Sequence, residues 1–233
     1  MTSVLLLGFL MGMRHALEAD HLAAVASLAT GEPGRRRATI VRGAVWGMGH
    51  TLSLLLFGGV CLLLNFSVPA NLSRVLEGGV GVMLLVLGAD VLLRMRRKRV
   101  HVHVHSHGDG QRHLHAHTHQ PGEAHDPRRH EHPHPAGFPG RALVVGMMHG
   151  LAGSAALVLL AVEAIGSPWL GLVYILLFGV GSIAGMAVLS AVIAVPLEAS
   201  ARRLNRMYAS IDLVVGVSTI GIGLWVVGGS LLN

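Results

Sequence analysis

Residues 12–25 read GMRHALEADHLAAV, and residues 146–151 read GMMHGL. The first stretch places Arg14, His15, Glu18, Asp20 and His21 inside an apolar segment, 4–29, that is long enough to cross a bilayer as a helix. An ionisable side chain at the centre of such a helix costs on the order of 2.5–3.5 kcal/mol on insertion scales, so these residues must face a water-filled cavity, pair with one another, or bind an ion. On a regular helix, at about 100° per residue, His15, Glu18 and His21 share a face while Asp20 points away. Either Asp20 has a second partner, such as Arg14 or a neighbouring helix, or the helix unwinds here, as discontinuous helices do at transporter sites.

Five further blocks have the same apolar character: 40–64, 76–93, 142–162, 170–195 and 211–227. Hydrophobic residues make up 52% of the chain and charged residues 13%. The mean hydropathy of +0.59 excludes an ordinary soluble domain. No alternation suggests a barrel wall. The expected fold is therefore an all-α integral membrane protein of about six transmembrane helices. The 31 glycines suit helices that pack closely in lipid.

The second quoted stretch suggests a duplication. Gly12-Met13-Arg14-His15 is echoed by Gly146-Met147-Met148-His149, each near the start of its span. Gly47-Met48-Gly49-His50 is answered by Gly179-Val180-Gly181-Ser182, Gly81 with Gly88 by Gly216 with Gly223, and Glu77 roughly by Asp212. Three spans per repeat is an odd number, so the halves enter the membrane from opposite sides, a 3+3 inverted repeat with its site between them. The organisation read from the sequence is 1–95 as the first three-helix repeat, 96–140 as a histidine-rich loop, and 141–233 as the second repeat.

Basic residues give the orientation. The first connection carries Arg35, Arg36 and Arg37 with Arg42, and the second only Arg74. The third opens with Arg94, Arg96, Arg97, Lys98 and Arg99, the fourth has none, and the fifth carries Arg202, Arg203 and Arg206. The odd connections are thus cytoplasmic, both termini lie outside, and the protein is a multi-pass component of the cell (inner) membrane. The pI near 10.9 has the same origin, and nucleic acid is not expected as a partner.

Imidazole nitrogen suits nickel, cobalt, zinc and copper, while carboxylates supply the charge that a divalent ion needs on leaving water. His15, Asp20 and His21 with Glu18 form such a set, and His50 and His149 complete the histidines that lie outside the long loop. The remaining twelve of sixteen histidines fall in 101–134, in runs such as HVHVHSH and HLHAHTH. Within them His101, His103, His105, His107, His113, His115, His117 and His119 read as a loose metal buffer on a segment with little to bury, expected to be disordered without metal.

At these residues a family likeness becomes visible. RHALEADHL, residues 14–22, resembles the signature of the nickel/cobalt transporter family, a pattern close to RHAxDADHI, and Trp46-Gly47-Met48-Gly49-His50-Thr51 resembles that family's second motif. The resemblance implies that His15, Asp20 and His21 are required for metal transport and that Ni2+ or Co2+ is the transported substrate. Glu18 stands where the family usually has aspartate, and HGLAGSAAL, residues 149–157, stands where its importers carry an acidic motif. The whole chain more closely resembles the short six-span branch of urease accessory and nickel/cobalt efflux proteins, which implies a nickel-enzyme maturation system as a further partner beside the ion and membrane lipid.

No GxxxxGK[ST] loop is present, so transport would be secondary, with Glu18, Asp20 or Glu77 available for proton coupling. No HExxH pair or nucleophile–base set is evident, and the chain is read as a non-enzyme without a resident cofactor. The competing reading is a membrane-anchored storage or delivery protein serving a nickel enzyme such as urease.

Overall fold

The computed structural model describes residues 2–30, 36–64, 66, 68–97, 101–106, 112–117, 139–151, 167–203 and 205–232. Helices α1 (Thr2–His15) and α2 (Ala19–Ala29) occupy the first apolar block. Helix α3 (Arg36–Ser53) continues through a π-helical turn (Leu54–Gly58) into α4 (Gly59–Leu63). Then follow α5 (Ala70–Arg97), α6 (Gly140–Gly150), α7 (Pro168–Arg203) and α8 (Asn205–Leu232).

Among the described residues four helices are long and apolar enough to cross a membrane: Arg36–Leu63, Ala70–Arg96, Pro168–Leu197 and Ala209–Leu232. They contain, to within a residue, the second, third, fifth and sixth blocks read from the sequence. The first block is two shorter helices, and most of the fourth lies outside the described residues. Large apolar side chains cover the outer surface, among them Leu6, Leu10, Val82, Val86, Val188, Val192, Val214 and Val217. A soluble protein cannot present so much apolar surface to water, whereas hydrocarbon accepts it.

Inside, α1 packs on α7, α6 on α3, α3 on α7, and α5 on α8. Glycines permit the close crossings. A Cβ on Gly12 would overlap the Phe178 carbonyl, and one on Gly181 the Phe9 carbonyl, so α1 and α7 meet backbone to backbone. Likewise a Cβ on Gly146 would overlap the Trp46 carbonyl and one on Gly49 the Leu143 carbonyl, which brings α6 against α3. Gly81 faces Gly223 and Gly88 faces Gly216 where α5 crosses α8. Trp46, Leu84 and Met186 are fully buried in the core between these crossings.

Part of the histidine-rich segment departs from expectation, and its residues 107–111 and 118–134 lie outside the described residues. Where the sequence reading expects disorder, His101–Ser106 and Arg112–His117 form two antiparallel strands, β1 and β2, in the register His101↔His117, His103↔His115 and His105↔His113. Histidine alternating with Val, Leu and Ala is the two-residue period of a strand, and the low total apolar content hides it. His107 and His119 lie outside the described residues.

Candidate metal centre

The first block breaks at Ala16, Leu17 and Glu18. Leu17 N–H donates to Arg14 O (2.9 Å) and Glu18 N–H to His15 O (3.0 Å), which closes α1 in a tight turn. Glu18 then takes an extended backbone (φ −65°, ψ 150°) before α2 begins. The break re-aims Asp20. One carboxylate oxygen, Oδ1, accepts from His21 at both its backbone N–H and ring Nδ1 (2.9 Å each), and the other, Oδ2, accepts from His149 Nε2 (2.9 Å) at the end of α6. Both alternatives left open by the helical geometry therefore occur: the helix unwinds, and Asp20 finds a partner on another helix rather than Arg14. Asp20 also lies in the first turn of α2, where the helix dipole favours negative charge.

Four histidine rings converge here. His15 (6% exposed), His21 (1%), His50 (0%) and His149 (2%) are all buried. Ring centroids lie 4.2 Å apart for His15–His21 and for His21–His149, 5.2 Å for His15–His50 and 5.4 Å for His21–His50. Glu18 is half exposed at the edge of the cluster and pairs with His15 Nδ1 at 3.0 Å. Two overlapping triads have ligand atoms within 4.8 Å of one another: His15, His21 and His50, and Asp20, His21 and His149. All six residues singled out in the sequence thus meet in one place, with His21 common to both triads.

His50 is held by the backbone of α3 just before the π turn, a distortion that recurs at functional sites. Hydroxyls steady this stretch. Thr51 Oγ1 donates to Gly47 O (2.8 Å) and reaches Gly179 O (3.1 Å), and Ser53 Oγ donates to His50 O (2.9 Å). Two flanking rings were not singled out as functional: Phe178, 5.3 Å from His15, and Trp46, 5.3 Å from His21 and 5.5 Å from His149. They stand one residue before the echoed Gly47 and Gly179, so extending the echo by one position finds both.

The chemistry is unusual for a buried cluster. His15 Nε2, His21 Nε2, both ring nitrogens of His50 and His149 Nδ1 are buried and have no hydrogen-bond partner among the described residues. Each such group costs about 1–3 kcal/mol relative to a satisfied one, a cost that coordination to a metal ion removes.

The chain is 27% identical to the Chloroplast protein FOR GROWTH AND FERTILITY 1 of Arabidopsis thaliana over 94% of its own length, and equally identical to FOR GROWTH AND FERTILITY 2. It spans 57% and 55% of those two plant proteins. No family model and no solved structure matches. The likeness to the Urease accessory protein UreH of Bacillus sp. (strain TB-90) is higher, 35% identity over 94% of this chain and 88% of that protein. That name describes an accessory protein, in keeping with the reading of this chain as a non-enzyme. At that identity and coverage the chain belongs to the UreH family.

Proposed function

We propose that this protein carries a divalent transition-metal ion, nickel or cobalt, across the cell membrane as a secondary permease, along a path that includes His15, Asp20 and His21 with Glu18, His50 and His149. The observation that carries the reading is the convergence of four buried histidines on a broken helix with five ring nitrogens unpartnered. Borderline divalent ions prefer imidazole, and a broken helix lining a polar cavity is how transporters admit an ion to membrane depth.

The same reading includes six spans in two inverted halves. Supporting this, the close crossings repeat on exchange of the halves. Gly12 against Phe178 corresponds to Gly146 against Trp46, and Gly181 against Phe9 and Met13 to Gly49 against Leu143 and Met147. Phe178 beside His15 corresponds to Trp46 beside His149. We place the termini outside and the histidine-rich segment in the cytoplasm, where it buffers the ion.

The test is accumulation of nickel, cobalt, zinc and manganese in cells with and without the protein. A change confined to nickel or cobalt is expected, and unchanged accumulation of every ion would overturn the reading. The alternative, an anchored accessory protein delivering nickel to an enzyme, is favoured by the name of the UreH relative. Deleting 101–134 separates the two: a permease keeps measurable flux, whereas a delivery protein loses its phenotype.

A further inference from the structure

We propose that Asp20 and Glu18 are positioning residues that act through histidine rings, and that the ion rests on Nε2 of His15, Nε2 of His21 and one ring nitrogen of His50. The proposal rests on the metal-transport reading and assigns roles within it.

Proton bookkeeping on the rings is the first argument. An ionised carboxylate can only accept hydrogen bonds. The ring nitrogens that touch carboxylates, His15 Nδ1 on Glu18 and His21 Nδ1 and His149 Nε2 on Asp20, therefore carry the protons. The opposite nitrogens, His15 Nε2, His21 Nε2 and His149 Nδ1, are left as lone pairs, and none has a donor among the described residues. His50 adds one more lone pair, since a neutral imidazole has one donor and one acceptor nitrogen. Lone pairs gathered in a buried cluster with no protein donor among the described residues suit a cation.

The choice between the two triads follows. In His15, His21 and His50 the lone pairs are free. In Asp20, His21 and His149 the ligand atoms already hold one another, so binding there would cost both of Asp20's ring hydrogen bonds. Two nitrogens at about 2.0–2.1 Å from one ion in a tetrahedron are about 3.3 Å apart, so the three-histidine group closes on an ion with small ring movements. Charge also balances. Three neutral imidazoles leave a divalent ion at full charge, and the two carboxylates, each one ring away, offset it without touching it. Carboxylates behind metal-bound histidines fix the tautomer and ring orientation, and their loss typically weakens binding 10–100-fold.

The experiment uses the purified full-length chain in which the twelve histidines of 101–134 are replaced by asparagine, loaded with one equivalent of Co2+ and studied by X-ray absorption, which counts imidazole ligands. Three imidazoles and no bound carboxylate are expected. His50→Ala should lower the count to two. His149→Ala and Asp20→Asn should leave it at three, with Asp20→Asn binding about 10–100-fold more weakly. Two imidazoles with a carboxylate, lowered by His149→Ala and untouched by His50→Ala, would overturn the proposal while leaving metal transport intact. Failure to bind either Co2+ or Ni2+ would instead overturn the functional reading on which it rests. Should a variant aggregate, the ligand count of the parent decides alone.

Discussion

His15 and His149 stand at or next to the ends of α1 and α6, each beside an aromatic ring from another helix, Phe178 of α7 and Trp46 of α3. A close glycine crossing lies beside each, Gly12 on the Phe178 carbonyl and Gly146 on the Trp46 carbonyl. The chemistry differs. Around His15 gather Glu18, Asp20, His21 and, across on α3, His50, whereas Ser182 of α7, which the sequence echo sets against His50, donates to Gly12 O at 3.3 Å. Close backbone approach is thus common to both crossings, while the ionisable groups concentrate in residues 15–50, with His149 reaching across to Asp20.

The largest expected effect comes from removing what the two triads share. His21→Ala should lower metal flux on the order of 100-fold or more at equal membrane abundance, since even loss of a group behind a ligand costs 10–100-fold. A smaller change would mean that the triads act separately. The matched pair His50→Ala and Ser182→Ala sharpens the contrast between halves. His50→Ala should cost at least about 10-fold in flux, while Ser182→Ala, which loses one long neutral hydrogen bond, should change flux less than about twofold. Equal losses would show that both halves carry ligand positions.

The scaffold is probed by stability rather than flux. Gly12→Ala and Gly146→Ala each push a methyl into a facing carbonyl and should destabilise the solubilised protein by about 1–3 kcal/mol. Gly79→Ala, with nothing within 4 Å of its Cβ, should be close to neutral. Unequal effects at Gly12 and Gly146 would break the proposed correspondence of the halves. The smallest effect concerns a contact between the first and second halves outside the cluster. Arg141 at the start of α6 pairs with Asp90 of α5 at 2.6 Å, and Asp90 also meets Arg94 at 3.4 Å. Because Arg141 is 58% exposed, Arg141→Ala should shift thermal stability by less than about 1 kcal/mol.

Much of this was legible in the residues because membrane insertion makes them expensive to misplace. Apolar block length located the helices that contain 76–93, 170–195 and 211–227, and the cost of ionisable groups in one block singled out His15, Glu18, Asp20 and His21, which the structure brings together. Helical periodicity also showed that Asp20 could not share a straight face with His15 and His21, which is the break seen at Ala16 to Glu18. Two features were not legible. The pairing of His149 with Asp20 joins residues 129 apart and depends on the α6–α3 crossing, which glycine content alone does not register. The strands at His101–Ser106 and Arg112–His117 were missed because a segment judged by its low apolar content hides a two-residue period.

Whether the intramembrane cluster carries the ion is tested most directly by flux of radioactive nickel or cobalt into proteoliposomes containing the intact protein, His15→Ala or Asp20→Ala at equal protein density. The account predicts saturable flux for the intact protein. It predicts loss of most of that flux in both variants, His15→Ala by removing a ligand and Asp20→Ala by releasing His21 and His149 together. Near-normal flux in both variants would contradict it, showing that the four buried histidines and their carboxylates hold helices together and that the ion, if it crosses, does so elsewhere.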